Sequence, residues 1–128
     1  MRERMTGTTI IQSISAAAVL LAMNIAFANA ADVEHGKELF KACAACHSDQ
    51  PGALGPSLKG VVGRKAAALD SFRYSGPMQR ANLMWTPENL HDYIADPQGK
   101  VKGNRMPYGG LTNPNDVDDV VAYLATLK

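Results

Sequence analysis

Apolar residues recur at three- and four-residue spacing in four stretches of the chain, and the two-residue alternation of a half-buried strand appears nowhere. The clearest stretch is the last. Val117, Val120, Val121, Leu124 and Leu127 form a single stripe. Asn113 is placed to cap that helix, Pro114 suits its first position, and Asp116, Asp118 and Asp119 favour the positive end of its dipole. Near the other end, Asp32 can cap a helix whose face carries Val33, Gly36, Phe40 and Cys43. Gly36 costs that helix about 1 kcal/mol relative to alanine. Close approach of another helix would justify it; a tolerated glycine is the plainer alternative. Two shorter helices are predicted between these, one from Ser75 through Met78 to about Leu83. The other starts at Thr86-Pro87-Glu88, carries Leu90, Tyr93 and Ile94, and stops at Asp96-Pro97. Residues 48–69 and 97–112 are left as loops, long for a small domain, and long ordered loops usually carry function. The fold class is all-α.

The first thirty residues read differently. Arg2 and Arg4 precede the short apolar run Ala16–Met23, and Ala28-Asn29-Ala30 offers the small-x-small site of a secretory peptidase. A retained membrane anchor is the alternative. A spanning helix needs about 20 largely apolar residues, and Gln12, Ser13, Ser15 and Asn24 interrupt this run. Residues 1–30 are therefore expected to be a signal peptide, with 31–128 as one exported domain in the periplasm. Loss of Arg2, Glu3 and Arg4 leaves that domain near neutral.

Export frames the chemistry of the two cysteines in Cys43-Ala44-Ala45-Cys46-His47. A disulfide across two intervening residues would close a tiny loop and restrain the unfolded chain little. A thioredoxin-like pair wants a preceding strand, and a closed zinc site wants four ligands. Cys-x-x-Cys-His is instead the attachment pattern of haem c: each thiol adds to a vinyl group, and the adjacent histidine becomes an axial iron ligand. One covalently bound haem per chain is expected. Burying several hundred Å² of its apolar surface is worth on the order of 10 kcal/mol, so the haem would form the centre of a small core.

The other face of the iron decides between carrier and catalyst. Met78 and Met84 lie in or beside helical stretches and read as core methionines. His35 falls in the first turn of its helix, and His91 on a solvated helix face. Met106 differs. It sits in Gly103-Asn104-Arg105-Met106-Pro107-Tyr108-Gly109-Gly110, where glycines and proline let the backbone approach a cofactor. A thioether opposite an imidazole raises the reduction potential and leaves no open coordination position, which favours electron transfer. An open iron face, as in a peroxidase-type enzyme, is the competing reading.

From Gly36 to Leu127 the chain resembles a small class I c-type cytochrome, of the soluble bacterial kind related to mitochondrial cytochrome c. The resemblance implies the cytochrome c fold, with crossing N- and C-terminal helices and Tyr123 as the aromatic that packs against Gly36. It implies that the Pro56 carbonyl orients His47 and that Arg64 lies near a haem carboxylate. It further implies that Tyr74 and Trp85 donate to the propionates and that Tyr93 stands near the Met106 sulfur. Asp49, where mitochondrial relatives carry lysines, and Tyr108, where phenylalanine is common, depart from the pattern.

The implied function is that of a periplasmic electron carrier, not an enzyme. Its expected partners are redox proteins: a cytochrome bc1-type complex or a dehydrogenase as donor, and an oxidase or reductase as acceptor. A monomer without stable membrane insertion is expected, although a membrane-anchored cytochrome subunit stays open as an alternative. No extended basic patch or aromatic platform suggests nucleic-acid binding. Lys100, Lys102 and Arg105, just before Met106, suggest a positive rim for docking, against the plainer reading of a solvated loop.

Overall fold

The computed structural model describes residues 30–128, so the expected leader lies, apart from Ala30, outside the described residues. Five helices follow in order: α1 (Val33–Ala44), α2 (Gly76–Arg80), α3 (Pro87–Ala95), α4 (Pro97–Lys100) and α5 (Pro114–Leu124). Four begin with the predicted caps. Asp32 accepts from the Glu34 and His35 amides, Ser75 from Met78, Thr86 from Asn89, and Asn113 from Asn115. Each side-chain oxygen satisfies an amide that the helix start leaves without a partner.

Three boundaries differ from the periodicity reading. The second helix stops at Arg80, because Asn82 turns the chain with φ +48°. The loop expected after Pro97 opens with α4, whose cap is the Asp96 carboxylate accepting from the Gly99 amide. Leu127 lies beyond the end of α5, although it still packs against the core.

Terminal helices α1 and α5 make the most extensive helix pairing of the described residues. They meet at Gly36, whose missing side chain leaves room for the backbone of Asp119 and Val120; a Cβ there would collide with the Asp119 carbonyl oxygen. Along the same crossing the Phe40 and Tyr123 rings pack with centroids 5.1 Å apart. Tyr123 thus pairs with Phe40, and the direct neighbour of Gly36 is backbone. The α5 stripe Val117, Val120, Val121 and Leu124 is buried, together with Leu90 of α3 and Met78 of α2.

Met84 is not a core residue. It is 47% exposed and non-helical, because the chain at residues 83–85 runs antiparallel to residues 63–66. The Gly63 amide donates to Trp85, the Trp85 amide to Arg64 and the Ala66 amide to Leu83. That single bridge is the only extended pairing among the described residues, and it leaves Met84 facing outward while Trp85 is buried.

A polar clasp closes the crossing at its edge. The two Asp119 oxygens accept from the Asp32 amide and from His35 Nδ1, at 2.6 and 2.7 Å. The hydrogen bond to Asp119, reinforced by the charges of Asp116, Asp119 and Asp32, raises the His35 pKa above 6.5.

Two predictions follow from the crossing. Gly36→Ala is expected to lose roughly 1–3 kcal/mol, as overpacking of a tight contact does, read as a lower denaturant midpoint. His35 titrates higher when folded, so its contribution is complete below its ordinary pKa and is lost as pH rises through the raised value. Stability should therefore fall as pH rises above about 6.5, the ordinary histidine value, and His35→Gln should flatten that slope.

Candidate haem site

The last turn of α1 carries Cys43 to the edge of the core, and the chain then wraps back on itself. The Cys46 and His47 amides both donate to the Cys43 carbonyl, at 3.1 and 2.9 Å, and the Gly55 amide donates to the Cys46 carbonyl at 2.9 Å. Both thiols are half-buried. Burial pushes the Cys43 thiol up.

His47 is fixed from two sides. Its Nδ1 lies 2.7 Å from the Pro56 carbonyl oxygen. A carbonyl only accepts, so Nδ1 carries the proton and the lone pair resides on Nε2. The ring lies against Gly55, where a Cβ would sit 2.6–2.7 Å from Cε1 and Nδ1. Arg64 ties down the same segment, donating to the carbonyls of Ser57 and Lys59 at 2.8 and 3.0 Å. Asp49, the departure noted in the sequence, accepts from Ser57 and pairs with Lys59.

Met106 sits on a closed loop. At its far end the Leu111 amide donates to the Ile94 carbonyl, and Gly110, with φ +105°, lies so close to Ala95 that a Cβ would strike its carbonyl. Within the loop the Met106 amide donates to Asn104 Oδ1 at 2.8 Å. Burial raises the Tyr108 phenol.

Trp85 is buried, with its ring centroid 5.0 Å from that of Tyr93. Burial pushes the Tyr93 phenol up to about 12, so it stays protonated. Tyr74 packs edge-on against Phe72, and its hydroxyl accepts from the Leu69 amide. Phe40, Leu58, Val62, Leu83 and Ile94 are only partly buried although they pack on the core. A basic imidazole nitrogen, two thiols at Cys-x-x-Cys spacing, a half-buried thioether and a partly covered apolar wall suit the chemistry of haem c.

Comparison with known proteins decides the matter. The family model described as cytochrome c matches residues 33–128. The chain belongs to the cytochrome c family. It is 48% identical over 90 residues to the cytochrome c2 iso-2 of Magnetospirillum fulvum, a match covering 69% of this chain and 94% of that protein. It is 39% identical over 99 residues to the cytochrome c2 of Agrobacterium tumefaciens (strain II Chrys), covering 73% and 89%. Among solved structures, cytochrome cH from Methylobacterium extorquens superposes with a TM-score of 0.71 at 40% identity, covering 74% of this chain and 98% of that one. This cytochrome c is a mono-haem electron carrier with haem covalently bound through Cys43 and Cys46, and not an enzyme. No helix among the described residues is long and apolar enough to cross a membrane.

Sequence reasoning missed Asn104 and Gln98, which order the Met106 loop, and Asp96, which caps α4. The Asp96-Pro97 pair was legible as a helix stop, and the same carboxylate starts the next helix. The suggested cationic rim is smaller than its sequence pattern. Lys100 pairs with Asp92 at 2.8 Å, and the Arg105 guanidinium donates to the Arg73 carbonyl. His91 is half-exposed beside Asp118 and Asp92, on a shallow cavity between α3 and α5.

Gly55→Ala should force the His47 ring away from its place. Haem would stay attached through acid–acetone extraction, while the holoprotein would lose about 1–3 kcal/mol in a denaturant titration.

Proposed function

We propose that this cytochrome c works in the periplasm, after cleavage of residues 1–30, as a monomeric shuttle with His47 and Met106 as axial ligands. The observation that carries the ligand assignment is the His47–Pro56 hydrogen bond. It commits Nδ1 to a carbonyl, leaves Nε2 as the basic nitrogen, and orients the ring as an outer partner does for a metal-bound histidine. The placement of Met106 on a loop pinned at both ends supports the thioether as the opposite ligand.

Bound haem supplies a reversible one-electron couple, and a neutral thioether raises its potential by favouring the reduced state. The chain's own residues keep that couple in a stable setting. Trp85 and Tyr93 pack as an apolar wall that excludes water, and the Tyr93 phenol stays neutral. Tyr74 and Trp85 are assigned as hydrogen-bond donors to the haem carboxylates, and Arg64 as a nearby fixed charge whose guanidinium is anchored on Ser57 and Lys59. Such donors offset the cost of holding a carboxylate at the edge of a dry core.

The redox partners we assign are a cytochrome bc1-type complex or dehydrogenase as donor and an oxidase or reductase as acceptor. With Lys100 engaged by Asp92, the charges left to steer encounter beside the Met106 loop are Lys102 and Arg105. The acidic ends of α1 and α5 give the near-neutral molecule a dipole.

Met106→Ala tests the ligand assignment. It should lower the reduction potential and let carbon monoxide bind the ferrous protein, whereas Met78→Ala and Met84→Ala should leave the iron six-coordinate. Ready carbon monoxide binding by the unaltered protein would refute a closed iron.

A further inference from the structure

After α4 the chain has no regular structure up to Asn113, yet one side chain organises the turn that carries Met106. Asn104 is 8% exposed, the single buried polar residue among the described ones. Every polar group it owns is used within residues 97–106. Its Nδ2 donates to the carbonyls of Pro97 and Val101, both at 2.9 Å. Its amide donates to Val101 and its carbonyl accepts from Gln98 Nε2 at 3.1 Å. Its Oδ1 accepts the Met106 amide at 2.8 Å. Gln98 completes the brace by accepting the Gly103 amide, at the φ of +83° that glycine tolerates.

We propose that Asn104 is a positioning residue: by clamping the end of α4 to the Met106 amide, it sets the backbone from which the thioether reaches the iron. The proposal rests on Met106 being a ligand. The chemistry is specific to a carboxamide. Two carbonyls require two donors and one amide requires an acceptor, and asparagine supplies all three on a short side chain. Aspartate lacks the donors. Serine can keep the acceptor for the amide two residues on, but cannot reach both carbonyls. An aliphatic residue would leave the Met106 amide without its acceptor and strip the Pro97 and Val101 carbonyls of their side-chain donor, leaving each only its backbone partner. Asn104 therefore restrains the loop in a way that helix propensity and packing around it do not.

Imidazole, added to the ferric holoprotein, competes for the iron position that Met106 holds, and its association rate reads how often the loop lets go. Asn104→Ala should raise that rate by on the order of tenfold, as loss of a net hydrogen bond in the clamp implies, and should weaken the red-edge absorption band of a thioether–ferric iron bond. Amide hydrogen exchange at Met106 should speed by a similar factor, and Asn104→Ser should fall between the two. Val117→Ala, a core change in α5 outside residues 97–106, controls for general loosening; Met106→Ala marks a fully open position. An imidazole rate and an amide exchange rate in Asn104→Ala equal to those of the unaltered protein would overturn the clamp. So would a rise no larger than that of Val117→Ala at matched stability. Unaltered imidazole binding in Met106→Ala would instead overturn the ligand assignment, and the proposal with it. Should Asn104→Ala fail to accumulate, the serine variant carries the same comparison.

Discussion

The α1–α5 crossing at Gly36 is the contact on which the rest of this cytochrome c is assembled. Backbone meets backbone there, and no larger residue has room. Because the last turn of α1 carries Cys43, the depth and direction of the crossing determine where the cysteine pair and His47 emerge. Because the α5 stripe is buried against Leu90 and the loops above it, the same contact sets the floor of the core. A domain this small has few other ways to hold two distant chain ends together. The Asp119 clasp to Asp32 and His35 adds direction to a contact that is otherwise shape alone.

The segments that carry His47 and Met106 solve the same problem with similar means. Neither belongs to a helix or sheet ladder, so their backbone groups need other partners. On the His47 side, Arg64 and Ser57 organise the turn, and Gly55 lets the ring lie flat against the chain. On the Met106 side, Asn104 and Gln98 play that part, and Gly110 lets the loop return against the end of α3. Side-chain amides, hydroxyls and guanidinium groups thus supply locally what regular structure would otherwise supply. Long loops with this density of internal hydrogen bonds are ordered supports.

Charge follows a separate plan. Acids gather on the starts of α1 and α5, where they cap helices and complement dipoles. One cation near the Met106 loop is consumed by structure, Lys100 in an ion pair to Asp92 of α3, whereas Arg105 keeps its charge while donating to the Arg73 carbonyl. A cluster of positive residues in a sequence is therefore a poor count of the charge available for steering, since pairing with Asp92 removes most of the Lys100 field.

Local rules made much of this protein readable in one dimension. Helix caps, the α5 stripe, the haem attachment pattern and the singular setting of Met106 depend on residues a few positions apart, so spacing alone was enough to find them. Gly36 was legible as an odd residue in a helix, and its partner was not, because the Asp119 backbone lies more than eighty positions away. Met84 looked like a core methionine until the pairing of residues 63–66 with 83–85 turned it outward. The role of Asn104 escaped for a similar reason. An asparagine among glycines reads as an ordinary turn residue, and only burial, decided by the packing of α4 and the return of the loop to Ile94, turned it into a fully bonded clamp. Pattern determined which segments form helices and which residues carry the cofactor's chemistry. Tertiary structure decided which polar side chains lose water, because burial depends on neighbours brought from elsewhere in the chain.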